Sequence, residues 1–290
     1  MSPDFGVFVL NNGIGYSEVA KLIAFGLQEL GVSVESGGKY DFYKTNSKHR
    51  IIFCFKPIET FAAWHPGDDW RKSITENDIY FNTEPFRDRN IDKLGSIDVI
   101  RERMSWDYSI SNLDYLQDVK ALRYTAIKLG YSALFEKYLL EGQEASIRNH
   151  PVLFVGSKSQ RRIQAIDAIK ESGVDVDVYD ETRRIVGKDL HKAMFTAKAL
   201  VNVKFNEAYP FESFRIIPAL TAGCPVFSEQ GNDPMEEFYS SYVKFAPVSE
   251  LPMAISSANY FETVERTARF RDFLMADCLR TALSDVGIQI

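Results

Sequence analysis

The chain has 290 residues, of which 45% are hydrophobic and 26% charged, and carries a formal net charge of −6. This length suits two domains of roughly 130 to 150 residues, and the composition excludes a disordered or fibrous polymer. The acidic balance excludes a protein built chiefly to hold long polyanions, while four histidines without HExxH-like spacing and three scattered cysteines, Cys54, Cys224 and Cys278, exclude a histidine-rich metal centre and a disulfide framework.

The apolar run at residues 5–10 predicts a buried strand. The glycine turn Asn11-Asn12-Gly13-Ile14-Gly15 follows it, and then Val19, Leu22, Ile23, Gly26 and Leu30 recur at helical spacing, with Gly31 as the stop. Strand, glycine turn and helix open a βαβ unit. Further strands are predicted at 51–55, 79–81 and 121–124, separated by segments long enough for crossover helices. The polar stretch Glu141-Gly142-Gln143-Glu144 marks a boundary, after which the pattern restarts. A strand at 152–155 leads through Gly156 and Ser157 into a helix whose Ile163, Ile166 and Ile169 share a face. Strands at 174–178, 199–203 and 226–227 follow, with a helix ending at Gly223 before the last of them. The tail from 261 to about 283 reads as one amphipathic helix with Val264, Phe270, Phe273 and Leu279 on its apolar side. The expected fold class is α/β, with two Rossmann-like, doubly wound parallel-sheet domains facing a cleft. The domains fall at 1–140 and 141–260, and the helical segment 261–290 follows them. No stretch approaches the ~20 apolar residues that span a bilayer, and the first residues lack a basic signal-peptide region. A cytoplasmic protein without a transmembrane segment is expected.

In doubly wound sheets, ligands sit at the carboxyl ends of strands. Gly156, Ser157, Lys158, Arg161 and Arg162 occupy such a place, opening a helix. Three cations at a helix N-terminus oppose the macrodipole, a conflict that a bound anion such as a diphosphate would relieve. Glu212 and Arg215, three apart at the start of the next crossover helix, read either as a surface ion pair or as a carboxylate for sugar and ribose hydroxyls beside a phosphate-binding guanidinium. In the first domain, Gly13 and Gly15 allow close backbone approach to a ligand or simply make a tight turn. Glu84 follows a buried strand and Asp107 lies in the Trp106-Asp107-Tyr108 segment. Either could serve as a base or bind a hydroxyl, and Asp107 could instead cap the helix beginning near Ser111. His65 and His191 lack a visible catalytic partner.

The segments FVGSKSQRR (154–162) and KALVNVKFNEAYPFESFRIIPALTAGCPVFSE (198–229) resemble the donor domain of GT-B glycosyltransferases. Tyr80-Phe81-Asn82-Thr83-Glu84 and Trp106-Asp107-Tyr108-Ser109 with Asn112 are similar to motifs of the bacterial and viral spore-maturation group of that class. The resemblance implies a nucleotide-diphosphate sugar as donor substrate, a glycan or other hydroxyl acceptor, no metal and no other cofactor. It also implies diphosphate contacts from Gly156 to Arg162 and a terminal helix returning to the N-terminal domain. Retaining relatives carry two glutamates eight positions apart where this chain has Pro210 and Pro218. A sugar-nucleotide epimerase and a noncatalytic nucleotide-sugar binding module are alternatives on the same architecture. A modified DNA base as acceptor is disfavoured by the acidic pI of 5.4.

Overall fold

The computed structural model describes residues 2–10, 16–54, 56–64, 70–86, 96–116, 123–143, 147–207 and 209–290. The chain divides into two compact units, one of residues 1–132 together with 274–290, the other of residues 133–273.

In the first unit, β1 (Phe5–Val9), α1 (Tyr16–Glu29), β2 (Val34–Gly37), α2 (Lys39–Lys44), β3 (His49–Phe53), α3 (Pro57–Trp64) and β4 (Asp78–Asn82) alternate in chain order. They are followed by α4 (Ser96–Glu102), β5 (Met104–Asp107), α5 (Ile110–Leu116) and β6 (Arg123–Ala126). The six strands form one parallel sheet in the order β2-β1-β3-β4-β5-β6. Its middle strands are apolar on both faces: Phe8, Ile51, Ile52, Phe53, Ile79, Tyr80 and Phe81 are all buried, as helices on both sides of a parallel sheet require. Helix α1 ends in a Schellman motif, with Gly31 at φ 81° and its N–H donating to the Gln28 carbonyl.

In the second unit, α6 (Ala133–Leu139), β7 (Val152–Val155), α7 (Gln160–Glu171), β8 (Val176–Tyr179), α8 (Gly187–Thr196) and β9 (Leu200–Asn202) come first. Then come α9 (Ser213–Thr221), β10 (Val226–Glu229), α10 (Pro234–Tyr239), β11 (Lys244–Ala246), α11 (Leu251–Ser256) and α12 (Tyr260–Ala268). The sheet runs β11-β10-β9-β7-β8, all parallel. Helix α9 is buried along most of its length despite Pro218 inside it. It closes at Gly223, φ 69°, whose N–H reaches the Leu220 carbonyl while that of Cys224 reaches Ala219.

Two expectations are corrected. Ile163 does not share the buried face of α7; it is 39% exposed, whereas Ile166 and Ile169 are buried. The tail is not one helix. It breaks after α12 into a 3-10 turn at Arg269–Asp272 and restarts as α13 (Met275–Asp285). Phe270 and Phe273 pack against Tyr242, and Phe273 also against Phe238, so aromatic packing turns the chain where helical periodicity would have continued it. Leu274 then bridges to Tyr131, whose carbonyl accepts the Met275 N–H at 2.7 Å. Helix α12 belongs to the second unit and α13 to the first.

Helix α13 lies against α1 at Gly26, where a Cβ would stand 2.7 Å from both Leu279 Cδ1 and Met275 Cγ. Only glycine permits that approach. Trp106 donates its indole N–H to the Ala282 carbonyl at 3.2 Å, and Arg123 reaches the Val286 carbonyl. Among the described residues, no helix is long and apolar enough to cross a membrane.

Candidate functional site

The second sheet has the strand order in which β8 lies on one side of β7 and β9 on the other. The connections leaving β7 and β9 therefore diverge to opposite faces, and the crevice between their carboxyl ends is where this architecture receives ligands. Gly156, Ser157 and Lys158 follow β7, while residues 203–212 follow β9.

Arg162 closes the floor of this crevice. It is 2% exposed and turned inward. Its Nε donates to the Val203 carbonyl at 2.8 Å, Nη1 to the Ser157 carbonyl at 3.0 Å and Nη2 to Glu212 Oε2 at 2.9 Å. It thus staples the segment after β7 to the segment after β9. Arg162, expected among the diphosphate contacts, lies buried with these three acceptors around it, which hold the two segments together. Burial, and then the neighbouring Arg215, press its pKa down to about 10, with Glu212 opposing them.

Glu212 is 5% exposed and occupies the N-cap position of α9 without capping it. Its second oxygen accepts from Arg215 Nη2 at 2.8 Å, so one carboxylate is shared by two guanidiniums. The pairing of Glu212 with Arg215 at a helix start is as expected, but the pair is buried rather than superficial. A Cβ on Gly156 would stand 3.1 Å from Arg215 Nη1 and 3.2 Å from Arg162 Nη1. The glycine lets both cations close over the turn.

Lys158 and Arg161 lie further out. Lys158 Nζ pairs with Asp180 at 3.0 Å, and its backbone N–H donates to Glu181 at 2.9 Å. Hydrogen bonds from Thr182 and then Lys158 hold the Asp180 carboxyl well below the usual range. Arg161 pairs with Glu229 and, at 3.2 Å, with Glu207. Behind them, Lys204 Nζ meets Glu236 at 2.8 Å, both side chains buried, and a Cβ at Gly231 would overlap the Lys204 ammonium. The clash of cations with the helix macrodipole is therefore relieved within the protein by carboxylates, not left for a ligand alone to relieve. Sequence reasoning missed Lys204, Glu229 and Glu236. The strand-end rule that singled out Gly156 and Glu212 points equally to Glu229, the last residue of β10.

In the first unit, Gly13, Gly15 and His65 lie outside the described residues. Glu84 and Asp107 come together at the carboxyl ends of β4 and β5. Asp107 is fully buried and accepts from Asn82 Nδ2 at 2.6 Å, Asn112 Nδ2 at 2.9 Å, the Ser109 N–H at 2.8 Å and the Tyr124 hydroxyl. Asn82 and Asn112 also donate to the Glu84 carbonyl, at 2.8 and 3.0 Å, and accept the N–H groups of Glu84 and Phe86. Asp107 thereby fixes the backbone that carries Glu84. Glu84 itself is half-buried and accepts the Tyr16 hydroxyl at 2.9 Å. Asp107, expected as a base or a hydroxyl partner, does not face solvent. It does not cap the following helix directly either; Ser109 Oγ takes the Ser111 N–H. His191 is buried against the Tyr138 ring, a packing role.

Burial raises the Asp107 pKa to about 7, against the lowering effect of its hydrogen bonds, the largest being that from Tyr124. The folded chain then holds a proton that the unfolded chain has lost, so Asp107 favours folding below its unfolded value of 3.8 and that contribution drains away as pH rises towards 7. The difference in unfolding free energy between wild type and Asp107→Asn should therefore shrink from pH 5 to pH 8, by up to about 1.4 kcal/mol per pH unit. Urea unfolding of both proteins at the two pH values checks this; a constant difference would refute it.

No protein-family model matches the chain, and no curated protein matches it. Solved structures do. WaaG, a glycosyltransferase involved in lipopolysaccharide biosynthesis, aligns over 98% of this chain and 99% of its own, with TM-score 0.54 and 12% identity. A glycosyltransferase from Rickettsia africae ESF-5 aligns over 99% and 100%, with TM-score 0.51 and 7% identity. TarM aligns over 82% of this chain and 54% of its own, with TM-score 0.50 and 11% identity. The chain shares the two-unit parallel α/β fold of these proteins.

Proposed function

We propose that this chain is a glycosyltransferase of the GT-B class that moves a sugar from a nucleoside-diphosphate donor to an acceptor hydroxyl without a metal. The observation that carries this reading is the Arg162–Glu212–Arg215 cluster closed over the Gly156 turn at the reversal point of the second sheet. In this reading the second unit binds the donor and the first handles the acceptor. Breaking the glycosidic bond leaves negative charge on the departing diphosphate, and fixed donors in a water-poor crevice stabilise it without reorganising. Arg215, held by Glu212, and Arg161 are the cations turned to that task; Ser157 and Lys158 contribute the turn. Glu84, on its braced backbone, is the carboxylate we assign to the acceptor hydroxyl, as a base or as its hydrogen-bond partner.

The test is a thermal-shift screen with UDP, GDP, ADP, CDP and their sugars. A ligand at 100 times its Kd stabilises by about 2.7 kcal/mol. Arg215→Ala should then weaken the stabilising nucleotide by about 1.5 to 3 kcal/mol, the value of a hydrogen bond to a charged group. A screen in which no diphosphate stabilises the protein would refute the reading.

A further inference from the structure

Arg161 stands between two carboxylates that differ in every respect that governs exchange. Glu229 ends β10, and its side chain is 4% exposed. One of its oxygens holds Arg161 while the other accepts the Lys204 N–H at 3.0 Å. Glu207 sits on the segment after β9, its side chain 85% exposed, and touches the guanidinium from outside at 3.2 Å. An ion pair to so exposed a partner is nearly balanced by solvation and is readily given up; a buried, doubly bonded carboxylate is not. Arg161 Nε is buried and has no hydrogen-bond partner among the described residues, so the guanidinium has a donor that its two partners leave unused.

We propose that Glu229 is the positioning residue of the donor site, fixing Arg161 at the crevice, and that Glu207 is a built-in competitor whose place the donor phosphate takes. This rests on the donor-site reading above and adds to it how the site is charged before the donor arrives. Phosphate binding is then an exchange of anions on one guanidinium. The incoming group must displace Glu207 and leave Glu229 where it is. Because Glu229 also anchors the backbone of Lys204, the second residue after β9, its hold on Arg161 and the course of the segment carrying Glu207 and Glu212 are set together.

The two carboxylates therefore predict effects of opposite sign. Calorimetric titration with whichever of UDP, GDP, ADP and CDP binds the full-length wild type is repeated on Glu207→Gln and Glu229→Gln. Glu207→Gln should bind the diphosphate about two- to fivefold more tightly, the range set by losing one exposed competing pair. Glu229→Gln should bind at least about tenfold more weakly. The corresponding monophosphate, which lacks the second phosphoryl group, should show smaller changes in both variants. Glu207 is exposed, so its variant keeps the fold and the test stands even if Glu229→Gln is unstable. Unchanged or weaker binding by Glu207→Gln overturns the competitor role while leaving the donor site intact, and wild-type affinity in a folded Glu229→Gln overturns the positioning role. Failure of all four diphosphates to bind the wild type overturns the donor-site reading and this proposal with it.

Discussion

Glu212→Gln should lower the free energy of unfolding by about 3 to 5 kcal/mol, the cost of stranding a buried charge. As a surface carboxylate serving ligand hydroxyls, Glu212 would be dispensable to the fold. Buried between Arg162 and Arg215, it is their shared counter-charge. Glutamine keeps the shape but leaves the nearly inaccessible Arg162 guanidinium without compensation. The companion change Arg162→Met removes the stranded charge, and its long apolar side chain can lie against Phe154 and Phe205, the rings that now flank the guanidinium. Adding it to Glu212→Gln should restore part of the lost stability, a coupling that a double-mutant cycle in urea measures. Additive losses, or a single variant with the wild-type midpoint, would show that the charges do not depend on each other.

Ending the chain at Phe273 should abolish stable folding of the first unit. Met275, Leu279 and Leu283 of α13, and Val286 just after it, are all fully buried. At about 1.5 to 3 kcal/mol for each large apolar side chain, their loss rivals the 5 to 15 kcal/mol that holds a typical domain together. The stripe on α1 around Gly26 and the indole of Trp106 would lose their covering at the same time. The truncated chain should collect in the insoluble fraction or bind a hydrophobic dye strongly at room temperature. A soluble truncated protein with wild-type near-ultraviolet circular dichroism would contradict this.

The central strands were legible because a strand covered on both faces must be apolar throughout, as Ile51, Ile52 and Phe53 are. Gly31 and Gly223 were legible because a left-handed helix end selects glycine. Strands β2 and β11 were not, since each lies at a sheet edge and needs no apolar run. Strand β5 escaped for another reason. Its Asp107 is tolerated in the core because the nearby Ser109 N–H and Asn112 are joined on it by Asn82 and Tyr124 from the two flanking strands, and no local pattern reveals that convergence. At the candidate site, the strand-end rule pointed to the loops where these charged side chains gather. It could not tell which cation turned inward: Arg161 and Arg162 are adjacent in sequence, yet one reaches outward to Glu207 and the other is sealed beneath Glu212.

The first unit is closed by the last residues of the chain, while the second is one uninterrupted stretch. During synthesis the ribosome therefore releases every strand of the first sheet well before the helix that covers α1, and the usual order, N-terminal domain first, cannot be completed. Residues 133–273 can reach their native form while the earlier unit waits with apolar surface uncovered. In this chain the part made first is the part finished last, so the hazard of premature association falls on the nascent N-terminal half and ends only when α13 emerges.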